Sequence, residues 1–237
     1  KTGKSSKYTH GNSIRTNTTP TMHETNRPAT TPLPEPTLRR LPWYLAYLTT
    51  LRTQGQTHVS STRIAADVGV DSSQIAKDLS FLNIKGKTRI GYEVQALENE
   101  LRQFLGFGLN HDAVIIGAGS LGSALMRDSG LHRYGLNIVA AFDTDPAIVG
   151  GEISGIPIYH ANRLAEICQG RDIAIAALTV PVSVAQAAAD AAIDAGIRGI
   201  WNFTPCRIRV HGGAVVQNTS MYSHLAVMYN RLQDLQQ

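Results

Sequence analysis

The chain has 237 residues, 43% of them hydrophobic, enough to bury a core and to divide into two domains at ~100–200 residues each. Its 22 Lys and Arg against 18 Asp and Glu are unevenly spread, with +3 in residues 1–36, +3 in residues 37–110 and −2 in residues 111–237, which points to a polyanion partner at the N-terminal end. No apolar run reaches the ~18 residues of a membrane span, there is no basic-then-apolar secretory start, and Cys168 and Cys206 make neither a metal-ligand spacing nor a disulfide framework, so a cytoplasmic protein with no membrane contact and no metal is expected.

Residues 1–36 are rich in Thr, Ser, Asn and Pro without apolar periodicity and read as a disordered tail, with Met22 a candidate native start. Thr37 then reads as an N-cap. Leu38, Leu41, Leu45, Leu48 and Leu51 follow at helical spacing to Gly55, with Pro42 taken as a first-turns residue. Ser60 and Ser61 open a short helix that stops at Gly69, and Asp71-Ser72-Ser73-Gln74 gives a capping-box start to a second, ending near Leu82. Two short helices around a glycine turn make a helix-turn-helix. Ile75, Leu79 and Leu82 face inward, leaving Ser73, Gln74 and Lys77 to reach base edges and phosphates. Lys85, Lys87 and Arg89 surround a glycine turn leading into a strand at 89–94, with no acid across 85–92, and read as a wing. A linking helix carrying Leu97, Leu101 and Phe104 closes this domain, 37–110.

Residues 111–237 open on Ala113-Val114-Ile115-Ile116, which runs into Gly117-Ala118-Gly119-Ser120-Leu121-Gly122 and then a helical pattern. This is the strand, glycine turn and helix of a dinucleotide site. Gly117 makes the turn, Gly119 admits a pyrophosphate, Gly122 allows close packing, and the helix N-terminus offers free N–H groups. A second strand at 136–142 ends in Asp143, placed to accept from a ribose hydroxyl. It lies 26 residues beyond Gly117, so a longer helix or loop must intervene. A strand at 156–159, a helix at 161–168, strands at 173–178 and 197–201 and a helix from Pro181 to about Ala195 follow. That alternation predicts an α/β, doubly wound parallel Rossmann sheet. Ligands sit outside the carboxyl ends of such strands, which brings together the glycine turn, Asp143, Val180-Pro181 and Asn202-Phe203-Thr204-Pro205. A last helix, 221–235, repeats Leu225, Met228 or Tyr229, Leu232 and Leu235 and packs either on its own domain or on a second subunit.

The sequence resembles the bacterial redox-sensing repressors of the Rex family from Pro36 to Leu232. The likeness rests on Arg40-Leu41-Pro42, Ser60-Ser61, Lys77-Asp78-Leu79-Ser80, Gly91-Tyr92, GAGSLG, Phe142-Asp143-Thr144-Asp145-Pro146, Ile156-Pro157, Val180-Pro181, Ala185-Gln186 and Asn202-Phe203-Thr204-Pro205. The resemblance implies a homodimer whose terminal helix is swapped onto the other subunit. It also implies binding to double-stranded operator DNA when NAD(H) is oxidised, and release when NADH binds. Cofactor contacts are then expected from Gly117, Ala118, Gly119, Ser120, Leu121, Gly122, Asp143, Val180, Pro181, Asn202 and Pro205. DNA contacts are expected from Ser60, Ser61, Ser73, Gln74, Lys77, Lys85, Lys87 and Arg89. The chain departs from the family at Ala76, where an arginine is usual, and at Asp128 and Ser220, which replace a coupling tyrosine and its acidic partner.

Two other functions fit parts of this pattern. An NAD-dependent oxidoreductase needs a proton donor near the nicotinamide. No lysine follows Lys87, and His111, His132, His160, His211 and His224 lack a partner acid in any motif, so no catalytic residue is assigned. A DNA-binding protein with a non-sensing nucleotide fold is separated by NADH binding itself.

Overall fold

The computed structural model describes residues 33–235, so the tail expected at 1–36 lies almost wholly outside the described residues. Helix α1 spans Glu35–Thr53, starting three residues before the Leu38 that a Thr37 cap implies. Thr37 is no N-cap: it is buried inside the helix, and its hydroxyl donates to Asp78 at 3.0 Å. Pro42 sits beyond the second turn, where a missing N–H and a ring clash cost about 3 kcal/mol. The helix persists because Leu41, Tyr44, Leu45, Leu48 and Leu51 are buried along one face, each stabilising by about 1.5–3 kcal/mol.

The rest of the first domain runs β1 (His58–Val59), α2 (Ser61–Val68), α3 (Ser72–Leu79), β2 (Tyr92–Glu93) and α4 (Val94–Phe104). Ser60 caps α2 by accepting from the Arg63 N–H, and Asp71 caps α3 by accepting from the Ser73 N–H. Ile64, Ile75, Leu79, Leu97 and Leu101 complete a core around α1, against which α2 and α4 pack. The wing strand expected at 89–94 is shorter: only Tyr92–Glu93 pair, antiparallel with His58–Val59, and a tight turn closes between Lys87 and Gly91. Arg89 is the turn residue, at φ 65°, which is why no strand forms there.

The second domain runs β3 (His111–Ile116), α5 (Ser120–Arg127), α6 (Ser129–Arg133), β4 (Leu136–Asp143), β5 (Glu152–Ile153), β6 (Ile156–His160) and a 3₁₀ turn (Ala161–Arg163). It continues through α7 (Leu164–Cys168), β7 (Ile173–Leu178), α8 (Val182–Asp194), β8 (Gly199–Asn202), β9 (Val215–Asn218) and α9 (Met221–Asp234). The sheet order is β5-β6-β4-β3-β7-β8-β9, parallel throughout except for the β5–β6 hairpin. Alternate residues of β3 feed opposite faces. Val114 and Ile116 join Ala185, Ala189 and Ile193 of α8 in one core, while Ile115 packs with Met126 of α5 in the other. Both faces are covered, the condition under which an all-apolar parallel strand is stable. Cys168 is buried with this core, and burial pushes its thiol pKa up, as a small apolar residue requires. No residue of α9 is buried, although Met221, Tyr222, Val227, Met228 and Tyr229 are all apolar or aromatic and exposed.

Candidate functional site

Parallel register aligns the strand ends: Ile116 pairs with Phe142 on one side and Leu178 on the other, and Leu178 pairs with Asn202. The glycine turn, Asp143, Thr179-Val180-Pro181 and the loop from Asn202 therefore meet at the carboxyl ends of the strands, where β4 lies on one side of β3 and β7 on the other. That is the position at which doubly wound sheets bind ligands. Gly117 adopts φ 100°, and a Cβ there would lie 2.7 Å from the Thr179 carbonyl oxygen. A Cβ at Gly122 would lie 2.0 Å from the Gly117 oxygen, so α5 can approach β3 only with glycine in place. Gly119 faces open space and caps α5 without a side-chain partner, leaving the N–H groups of Ser120 and Leu121 at a bare helix start. This is a cradle sized by backbone and suited to a diphosphate.

Thr179 holds the turn from the other side, its hydroxyl donating to the Gly117 carbonyl at 2.6 Å. The motif reading did not single it out, because its partner is 62 residues away. Asp143 does more than the sequence assigned to it. One carboxylate oxygen accepts from the Ala118 N–H at 2.6 Å, and the other accepts from Thr144 and Asp145 at 2.7 and 3.0 Å. It fixes the turn and still carries lone pairs for a ribose hydroxyl. The Ala118 N–H is correspondingly used within the protein rather than offered to a ligand. The 26-residue spacing is explained by α6, an extra short helix whose N-cap is Asp128, accepting from the Gly130 and Leu131 N–H groups.

Asn202 is held by its neighbours. It is fully buried, its amide donates to the Cys206 carbonyl and to Asn218 Oδ1, and its oxygen accepts from both the N–H and the hydroxyl of Thr204. With its side-chain polar atoms so occupied, Asn202 shapes the 203–206 loop, and its amide is not free to bond a ligand. Pro205 and Pro181 are exposed and Val180 half-buried, leaving them as the apolar surface at this end. Ser220 is the N-cap of α9, accepting from the Ser223 N–H.

In the first domain Ser73 and Lys77 stand exposed on α3, with Lys85, Lys87 and Arg89 exposed around the wing turn. Ser60 is exposed and Ser61 half-buried at the start of α2. Gln74 is half-buried, and its amide donates to Asp78 at 2.8 Å. The capping box is thus left open, and Gln74 is a less direct reader of bases than the sequence implied. The reason is Asp78, fully buried, which accepts from Thr37, from Arg40 Nε and Nη2, from Tyr44 and from Gln74, all within 3.0 Å. Burial alone would raise its pKa, but these donors, Arg40 foremost, hold it below the usual carboxylate range. Burial and then the hydrogen bond to Asp78 push the Tyr44 phenol up to about 12. This cluster ties the recognition helix to α1.

A winged-helix reader joined to a dinucleotide cradle defines a ligand-responsive regulator of transcription. Comparison with known proteins agrees: a profile described as a putative DNA-binding protein N-terminus matches residues 32–80, and one described as a CoA binding domain matches 110–206. The redox-sensing transcriptional repressor Rex of Bacteroides thetaiotaomicron is 55% identical over 85% of this chain and 92% of its own. That of Porphyromonas gingivalis is 56% identical over 86% and 94%. The crystal structure of RSP, a Rex-family repressor, with NAD⁺ and operator DNA superposes with TM-score 0.82 at 30% identity, over 87% of this chain and 95% of that one. Its complex with NADH superposes with TM-score 0.78 at 31% identity, over 87% and 97%. The chain belongs to the Rex family of redox-sensing transcriptional repressors.

Proposed function

We propose that this protein is a cytoplasmic homodimeric repressor that binds palindromic operator DNA and releases it when NADH occupies the glycine cradle. The single observation that carries this reading is the joining of a wing with free Lys85, Lys87 and Arg89 to an open helix-start cradle at the switch point of the sheet. One winged helix reads one half-site, so a palindrome calls for a second copy. The exposed apolar face of α9 supports that copy as its cover, in the swapped arrangement that the resemblance implies. Titrating labelled duplex with protein, then repeating with saturating NAD⁺ and with NADH, tests the whole reading. Equal binding to random and palindromic duplex would overturn the operator.

Phosphate contacts and base contacts separate by salt. Lys87→Ala is expected to weaken binding to all duplexes alike and to flatten the dependence of log affinity on log salt by about 1 unit. A variant that changes sequence preference without changing that slope would place Lys87 on bases instead.

Asp143 favours NAD(H) over NADP(H), since its carboxylate can accept from a 2′-hydroxyl and repels a 2′-phosphate. Because it also pins Ala118, Asp143→Ala is expected to lose about tenfold in NADH affinity, about 1.4 kcal/mol, as well as its preference over NADPH. Fluorescence titration of both cofactors checks this. Equal affinities of the unmodified protein for NADH and NADPH would refute it.

A further inference from the structure

We propose that the edge-on contact between Phe107 and Tyr134 is the joint through which the cofactor site acts on the DNA-binding domain; this rests on the redox-responsive reading above and assigns its route. The two rings meet with centroids 5.1 Å apart and planes at 70°, an edge-to-face geometry that loses favour when either ring shifts.

Each ring is fixed to a different domain. The Phe107 N–H donates to the Arg102 carbonyl at 2.9 Å, so the ring is an extension of α4. Helix α4 is locked to α1 by Glu98, buried on α4, which accepts from Thr49 at 2.9 Å and from Arg52 at 2.6 Å. Phe107 therefore moves with the winged helix. The Tyr134 N–H donates to the Leu131 carbonyl at 3.0 Å, which makes its ring the end of α6. Helix α6 is capped by Asp128, the residue that ends α5, and α5 starts on the glycine turn. A ligand that moves the start of α5 is linked through two short helices and one cap to Tyr134.

The backbones touch at the same place. The His111 N–H donates to the Gly135 carbonyl at 2.7 Å, and a Cβ at Gly135 would lie 2.1 Å from the Leu109 carbonyl oxygen. The contact cannot slide there without breaking that bond, so a shift at α6 becomes a rotation of the segment that carries Phe107. Asp128 and Ser220 are both engaged as helix caps. Tyr134 and Phe107 lie outside the residues assigned to DNA and to the dinucleotide, and act as positioning residues.

The test uses the full chain and a fluorescein-labelled palindromic duplex selected from a random library by the unmodified protein. Duplex affinity is measured with and without saturating NADH, and NADH affinity without duplex. NADH is expected to weaken duplex binding about tenfold or more in the unmodified protein and less than about threefold in Tyr134→Ala and Phe107→Ala. Affinities for NADH alone and for duplex alone should stay within about twofold. Tyr134→Phe, which keeps the ring edge, should retain the full response, and the double variant should fall no further than either single one, as two halves of one contact must. If Tyr134→Ala melts at assay temperature, Tyr134→Leu takes its place. An undiminished NADH response in the alanine or leucine variants overturns the joint and leaves the repressor reading standing. A lack of NADH response in the unmodified protein overturns both.

Discussion

Asp78→Ala is expected to abolish duplex binding while leaving NADH binding within about twofold. Removing one partner of a buried ion pair costs about 3–5 kcal/mol. Here Arg40 keeps 28% of its side chain exposed and can rehydrate, so the lower figure applies. A domain of some 75 residues is stable by only about 4–11 kcal/mol, so the loss is a large share. It also falls on one relationship, the tether between α3 and α1 that Asp78 makes with Thr37, Arg40 and Tyr44. The sheet domain has its own two cores and does not depend on it. Anisotropy with duplex and fluorescence with NADH read the two domains separately. Duplex affinity within twofold of the unmodified protein would show that the cluster is not what orients the recognition helix.

The same cluster sets an acid limit. Burial works to raise the pKa of both Asp78 and Glu98, but hydrogen bonds from Arg40, Tyr44, Gln74 and Thr37 to the one, and from Thr49 and Arg52 to the other, leave both lowered. A carboxylate with a depressed folded-state pKa contributes stability that is complete above its unfolded value, about 4, and is lost as pH falls through the folded value. Duplex binding, followed by anisotropy across an acid titration, is thus expected to start declining near about pH 4 and to fail only further below it, as pH passes the depressed folded-state values.

The sequence made the cofactor domain more legible than the DNA-binding one, for a physical reason. Parallel strands buried on both faces are continuous apolar runs, and 173–178 could be placed to the residue. Glycines at 117 and 122 are demanded by local backbone geometry, which motif spacing records. The roles that were misread belong to polar residues with remote partners. Thr37 looks like an N-cap until its acceptor, 41 residues on, is known. Gln74 completes a capping-box pattern but turns inward because Asp78 is buried four residues later. Asn202 has the right place for a ligand contact, yet Thr204, Cys206 and Asn218 take its hydrogen bonds. Strand β9 has only Val215-Val216 before Gln217-Asn218, too short an apolar run after Gly212-Gly213 to mark a strand by itself. It is recognised only through its pairing with β8.

NADH is expected to weaken duplex binding by a factor within the 5–150-fold typical of coupled sites, and NAD⁺ to weaken it much less. A ligand shifts an equilibrium only by its differential affinity for the two arrangements, and the two cofactor forms differ in the charge and shape of the nicotinamide ring. Discrimination must therefore arise where that ring lies. Half-buried Val180 and Phe203 and exposed Pro181 and Pro205 line the strand ends beyond the glycine turn, opposite Asp143 across the sheet. An apolar surface of this kind accepts the neutral ring of NADH, whereas the cationic ring of NAD⁺ loses hydration there without an opposing charge. Asp128, the acid that could have supplied one, is at the far end of α5, about 12 Å of helix from the turn, with its carboxylate turned to the Gly130 and Leu131 N–H groups. Linkage makes the effect reciprocal: duplex must weaken NADH binding by the same factor as NADH weakens duplex binding. Titrating NADH fluorescence with and without saturating palindromic duplex measures it independently of any DNA assay. Identical NADH constants in the two titrations would mean that the protein binds both partners and couples neither to the other.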